Sequence, residues 1–158
     1  MVTTKELPVN DIVREVIGLL QVCPAVVLPV KGYSMLPFII GWKESVELVK
    51  VDAPKVGDVV LAWVNGTHYV VHRIIRMDDD GLVLMGDGNL SGEEHCRLED
   101  VAARADYVVD PDGRRSYLYT KNRVRASRLW WKLKPFRRII LAVYRRTLLR
   151  YQLRNQKI

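Results

Sequence analysis

Apolar residues near the start of the chain recur with a helical period. Ile12, Val16 and Leu20 fall at i, i+4 and i+8, with Val13 and Ile17 beside them, so the pattern predicts a helix over 11–21 with one apolar face. Asn10 stands where an N-cap belongs. After Pro24 the texture changes. Ala25-Val26-Val27-Leu28-Pro29-Val30 is short and β-branched and predicts a strand, and Gly32-Tyr33-Ser34-Met35-Leu36-Pro37 reads as a turn. Residues 46–51 alternate as a half-buried strand does, and 54–57 make a second turn before a strand over 58–64. Asn65-Gly66 is a strong hairpin signal and predicts a returning strand over 67–76. Asp78-Asp79-Asp80-Gly81 turns the chain again into a buried strand at 82–85, which Gly86-Asp87-Gly88-Asn89 ends. Residues 98–110 supply one more strand region. Several short strands at close spacing predict a mainly β fold, a small coiled β-sheet or barrel behind a short N-terminal helix.

The end of the chain is patterned differently. Leu129-Trp130-Trp131 leads to Pro135, and 136–151 reads as a helix. At 100° per residue, Ile140, Val143, Tyr144, Leu148 and Tyr151 gather on one side. Arg138, Arg145 and Arg146 fall opposite, and Arg137 and Arg150 flank the apolar arc. This is the pattern of an interfacial cationic helix. The chain thus divides into an N-terminal helix (1–24), a β domain (25–112) and a basic, amphipathic tail (113–158).

Charge sharpens that division. Of 25 Lys and Arg residues, 15 lie between Arg114 and Ile158, where there is no Asp or Glu. The remainder carries 10 basic against 18 acidic residues, a net of −8 within an overall +7. An acidic domain with a basic tail predicts an anionic partner for the tail, with an anionic membrane surface meeting residues 129–154 as the expected one. Packing against the chain's own domain and binding to an acidic peptide or protein remain as alternatives. Nucleic acid is disfavoured because no nucleic-acid-binding motif accompanies the charge.

Other classes drop away. Cys23 and Cys96 have neither CxxC nor zinc-finger spacing and read as free thiols. His68, His72 and His95 form no ligand motif, so no metal and no cofactor is expected. Lys5, Glu6, Asp11, Arg14 and Glu15 interrupt any N-terminal apolar core, and Pro24 and Pro29 break the most apolar run, 16–30. No stretch reaches the ~18 apolar residues needed to span a bilayer. The expected location is therefore cytoplasmic, peripheral on the inner face of the membrane.

The candidate chemistry rests on a serine and a histidine. A serine hydroxyl needs a base within hydrogen-bond reach and donors for the oxyanion. Ser34 sits in a glycine-led turn that exposes its hydroxyl, with Met35 as an apolar anchor and Pro37 stiffening the exit. His72 lies on the strand after the hairpin, with His68 on the same face four residues earlier. Imidazole titrates near neutrality and suits a general base. Asp87, in a glycine turn, is placed to fix the imidazole tautomer by triad logic. Each of these alone is more often a plain turn or strand residue. Their ordered set carries the argument.

That set is Gly32-Tyr33-Ser34-Met35-Leu36-Pro37, then Gly57-Asp58-Val59-Val60, Val71-His72-Arg73-Ile74 and Gly86-Asp87-Gly88-Asn89. It resembles the signal peptidase I superfamily, which includes the self-cleaving domain of the SOS repressors. The resemblance covers about residues 25–100. Bacterial signal peptidases and the SOS repressors use lysine as base. The archaeal and endoplasmic-reticulum branch uses histidine followed by arginine, as His72-Arg73 does here.

The resemblance implies Ser34 as nucleophile, His72 as general base, Asp87 as the nearby acid and the Ser34 N–H as an oxyanion donor. It also implies a second acid six residues after the first, at Glu93, with Glu94 beside it. It suggests an extended peptide substrate with small residues before the scissile bond. Three features depart from the family: Gly32 stands where many relatives have a hydroxyl, the helix expected over 11–21 is too short and too charged for the family's membrane anchor, and the basic tail has no family counterpart. The expected activity is that of a serine endopeptidase acting on a leader or similar peptide. A self-cleaving regulator and a non-catalytic peptide-binding module are the alternatives.

Overall fold

The computed structural model describes residues 9–155. Helix α1 (Val9–Leu19) is followed by strands β1 (Ala25–Pro29), β2 (Ser45–Val49), β3 (Val59–Val64), β4 (His68–Asp78), β5 (Gly81–Met85), β6 (Glu94–Cys96), β7 (Val101–Val109) and β8 (Arg115–Tyr117). Two helices close the chain, α2 (Lys121–Lys132) and α3 (Arg137–Asn155), joined by a 3-10 turn at Lys134–Phe136. No described helix is long and apolar enough to cross a membrane.

All strand pairings are antiparallel, in the order β1-β2-β7-β3-β4-β5-β6, with β8 on β7. The sheet is mainly β as the pattern predicts, but it does not close into a barrel. Its pairing registers shift at Glu47/Leu48, Leu61/Ala62 and between Ile74 and Arg76. Such irregularities raise the local twist and coil a sheet upon itself. β8 continues the sheet past residue 112, so the boundary between domain and tail falls later than the sequence division places it.

α1 lays Val13 and Val16 onto the inside of the coil, and Leu20 follows from the turn after it. There they join Leu28, Val46, Leu48, Val59, Leu61, Ala103 and Ala105 in the main core. Each buried Val or Leu among them contributes about 1.5–3 kcal/mol relative to exposure. A second cluster packs Val60, Ala62, Ile74, Leu82 and Leu84 on the other face of β3–β5, with Cys96 at its rim. Tyr119 ties β7 to β3: its hydroxyl donates to the Ala105 carbonyl (2.9 Å) and accepts from the Val59 N–H (3.0 Å).

Cys23 and Cys96 are both free. Burial, aided by Asp100, pushes the Cys96 thiol up to about 11. The thiolate is the reactive form, so Cys96 is expected to alkylate about 100-fold more slowly than an ordinary thiol at pH 8. Timed iodoacetamide labelling with peptide mapping checks this; an ordinary rate at Cys96 would mean that the β6 edge opens readily.

Candidate active site

β1 ends at Pro29, and the chain then makes a long excursion before β2. Gly32 (φ 81°) sits in the left-handed region, which glycine enters without strain. Met35 and Leu36 are buried and pin this loop from below. The serine between them and Gly32 is left half-buried, with its hydroxyl turned toward β4.

His72, on β4, is buried. Its Nε2 lies 3.0 Å from Ser34 Oγ. Its Nδ1 hydrogen-bonds the carboxylate of Glu94, the first residue of β6. An ionised carboxylate only accepts, so the proton of the neutral ring belongs on Nδ1. Nε2 is then the acceptor that faces the serine hydroxyl. Folding thus brings Ser34 and His72 together across 38 positions of chain.

The acid at the imidazole is Glu94, not Asp87 and not Glu93. Strand parity explains this correction. Successive side chains on a strand point to opposite faces, so His72 and Arg73 part company. Across the sheet, Ile74 pairs with Leu84 and Leu84 with Glu94, which puts Glu94 on the face of His72. Asp87 is fully buried against Arg73 instead, in two parallel bonds of 2.8 and 2.7 Å. Glu93, one residue out of phase, is exposed and lies 3.8 Å from Arg76. His68 is also exposed, 2.7 Å from the Thr67 hydroxyl, and takes no part.

Arg73 and Asp87 brace the Ser34 loop from behind. Burial lowers the Arg73 pKa, but the Asp87 charge and hydrogen bonds outweigh it, and the net shift is upward. The Gly88 N–H donates to the Ser34 carbonyl at 2.7 Å. A Cβ on Gly88 would meet the Tyr33 carbonyl oxygen at 2.5 Å, so only glycine allows this approach. Truncating Asp87 leaves a buried guanidinium unpaired. Asp87→Ala is therefore expected to destabilise the fold by about 3–5 kcal/mol. Denaturant unfolding measures this, and a paired Arg73→Met/Asp87→Leu variant should recover most of the loss.

The tail reaches the same loop. Trp130 Nε1 donates to the Asp87 carbonyl at 2.8 Å, and Trp131 Nε1 to its carboxylate at 3.2 Å. Arg137 is fully buried, stacked 5.3 Å from the Trp130 ring and 4.3 Å from that of Trp131. It donates to the Asn89 and Trp130 carbonyls. Trp130 and Leu141 pack on Leu36, with Phe38, Ile40 and Tyr144 around them. The bonds from Trp130, Trp131 and Arg137 to the Asp87 loop span more than 40 positions, and no local pattern in the sequence marks them.

Beside Ser34 and His72 opens a cleft of about 280 Å³. Ile12 and Val13 of α1, Leu28 to Val30, and Tyr69 to Val71 wall it. β1 bonds a strand on one side only, and β5 pairs β4 only from Arg73 onward. Both strands therefore bring to the cleft a segment with one edge unpaired among the described residues. The Ser34 N–H also has no acceptor among the described residues. Comparison of the chain with family models, with curated proteins and with solved structures found no match.

Proposed function

We propose that this protein is a serine endopeptidase of the signal-peptide-processing kind. The observation that carries the reading is the 3.0 Å approach of Ser34 Oγ to His72 Nε2, at the wall of a cleft with Glu94 behind the imidazole. Support also comes from the ordered motifs around Ser34, His72 and Asp87, which resemble the Ser/His signal peptidases.

An extended peptide fits this cleft by strand addition, with its main chain bonding to the unpaired edge of β1 or β4. The apolar walls then take alternate side chains. Ser34 Oγ attacks the scissile carbonyl carbon as its proton passes to His72 Nε2. Glu94 holds Nδ1–H and stabilises the imidazolium that forms. The oxyanion is placed to accept from the Ser34 N–H. The imidazolium then gives its proton to the leaving amine, the C–N bond breaks, and an ester joins the new carboxyl terminus to Ser34. Water, deprotonated by His72, attacks that ester. The peptide acid leaves and Ser34 recovers its proton.

The test is cleavage of an extended peptide library that includes leader-type segments with small residues, with products mapped by mass spectrometry. Wild-type protein should cut at defined bonds, and Ser34→Ala should cut none. Failure of the wild type to cleave any member would overturn the peptidase reading in favour of a peptide-binding module.

A further inference from the structure

The fold divides the apolar residues of the tail between two faces. Leu141 and Tyr144 turn inward, together with Arg137. Phe136, Ile139, Ile140 and Val143 remain outside, with exposures of 60, 68, 38 and 58%. They recur at i, i+3, i+4 and i+7 and form one stripe that runs from the end of the 3-10 turn along the start of α3. Leu129, 58% exposed on α2, adds to the apolar surface of the same elbow. Trp130 and Trp131, in contrast, turn their indole N–H groups inward onto Asp87. Leu148, Arg150 and Tyr151 have side chains outside the described set.

Charge identifies the partner. Lys132, Lys134, Arg138, Arg145 and Arg146 are exposed on the same elbow, Arg138 and Arg145 on the polar side of α3 opposite the stripe. Among the described residues no cation of α2 or α3 forms an ion pair. The carboxylates of the domain therefore form no direct ion pair with the described cations of these two helices. A second copy of the helix would bring like charges together, and a polyanion such as RNA would leave the aliphatic stripe in water. A bilayer with anionic headgroups meets both demands at once.

We propose that the α2–α3 elbow docks on an anionic lipid surface, with Phe136, Ile139, Ile140 and Val143 entering the headgroup boundary. Trp130, Trp131 and Arg137 fix this elbow to the Asp87 loop, so docking holds the Ser34 cleft at a set height above the lipid. The inference stands apart from the peptidase reading, since it rests on the outer face of the tail.

Co-sedimentation with vesicles tests it. The full chain should bind vesicles of phosphatidylcholine with about 30 mol% phosphatidylserine, and weakly or not at all pure phosphatidylcholine. Ile139→Glu/Val143→Glu should weaken binding about ten-fold or more, and Arg138→Gln/Arg145→Gln/Arg146→Gln should remove the preference for anionic lipid. Circular dichroism identical to wild type shows that each variant is folded. Absence of binding to anionic vesicles would overturn the proposal. So would equal binding by the folded Ile139→Glu/Val143→Glu protein, which would mark a purely electrostatic, non-inserting contact. Peptide cleavage in vesicle-free solution reports on the peptidase reading separately.

Discussion

His72→Ala is expected to lower kcat for a cleaved peptide by roughly 10⁶-fold, and Ser34→Ala by about as much. The two losses should not add. Once the base is gone the hydroxyl is an ordinary alcohol, and once the hydroxyl is gone the base has no proton to take. The double variant should therefore match either single variant, retaining only what oxyanion donors and substrate positioning supply. Michaelis constants should change little, because most of the surface that grips the peptide comes from the apolar residues of α1, β1 and β4 rather than from these two side chains. Additive losses would mean that Ser34 and His72 act in separate steps, which their 3.0 Å approach argues against.

Glu94→Gln is expected to reduce kcat by as much as about 10⁴-fold while leaving the fold intact, and Glu93→Gln to leave it unchanged. The amide of glutamine can offer a donor to Nδ1, which lets the ring carry its proton on Nε2. Nε2 then no longer accepts from Ser34, and no carboxylate balances the imidazolium. Glu93 touches only exposed Arg76, at 3.8 Å, and nothing in the catalytic geometry changes when its charge goes. Parallel steady-state kinetics of the two variants separates adjacent residues that differ only in which way they face. Equal effects would put the orienting acid elsewhere.

That pair also shows where sequence reasoning stops. Ser34 and His72 stand out because a hydroxyl in a glycine-led turn and a histidine on an apolar strand recur in an ordered set of motifs. The strands from β1 to β5 were legible for a related reason: their alternation and the Asn65-Gly66 turn are local signals. The orienting acid was not legible. Its identity depends on register across β4, β5 and β6, and a slip of one residue exchanges Glu94 for Glu93. β6 has only three residues, Glu94 to Cys96, two of them polar, so no alternation announces it. Asp87 looked like the natural partner because its glycine turn is conspicuous. Its carboxylate is drawn to Arg73 on the opposite face, where a bidentate ion pair outcompetes a single bond to imidazole.

The tail was half legible. Its charge and the helix over α3 follow from composition and period. α2 was missed because Lys121–Lys132 is mostly basic and polar, with no acidic residue in its first turn to mark an N-terminus. Thr120, which accepts from the Arg123 N–H at 3.3 Å, was the one available signal. The inward turn of Trp130 and Arg137 could not be read from periodicity, since a buried arginine between two indoles depends on what lies opposite.

The proposed chemistry depends on a serine made nucleophilic by the histidine it touches. Labelling of the folded protein with a fluorophosphonate, followed by peptide mapping, tests that dependence most directly. One adduct is expected, on Ser34, formed rapidly by the wild type and lost when His72 is replaced by alanine. An unmodified Ser34 in folded wild-type protein, or labelling that proceeds equally well without the imidazole, would contradict it.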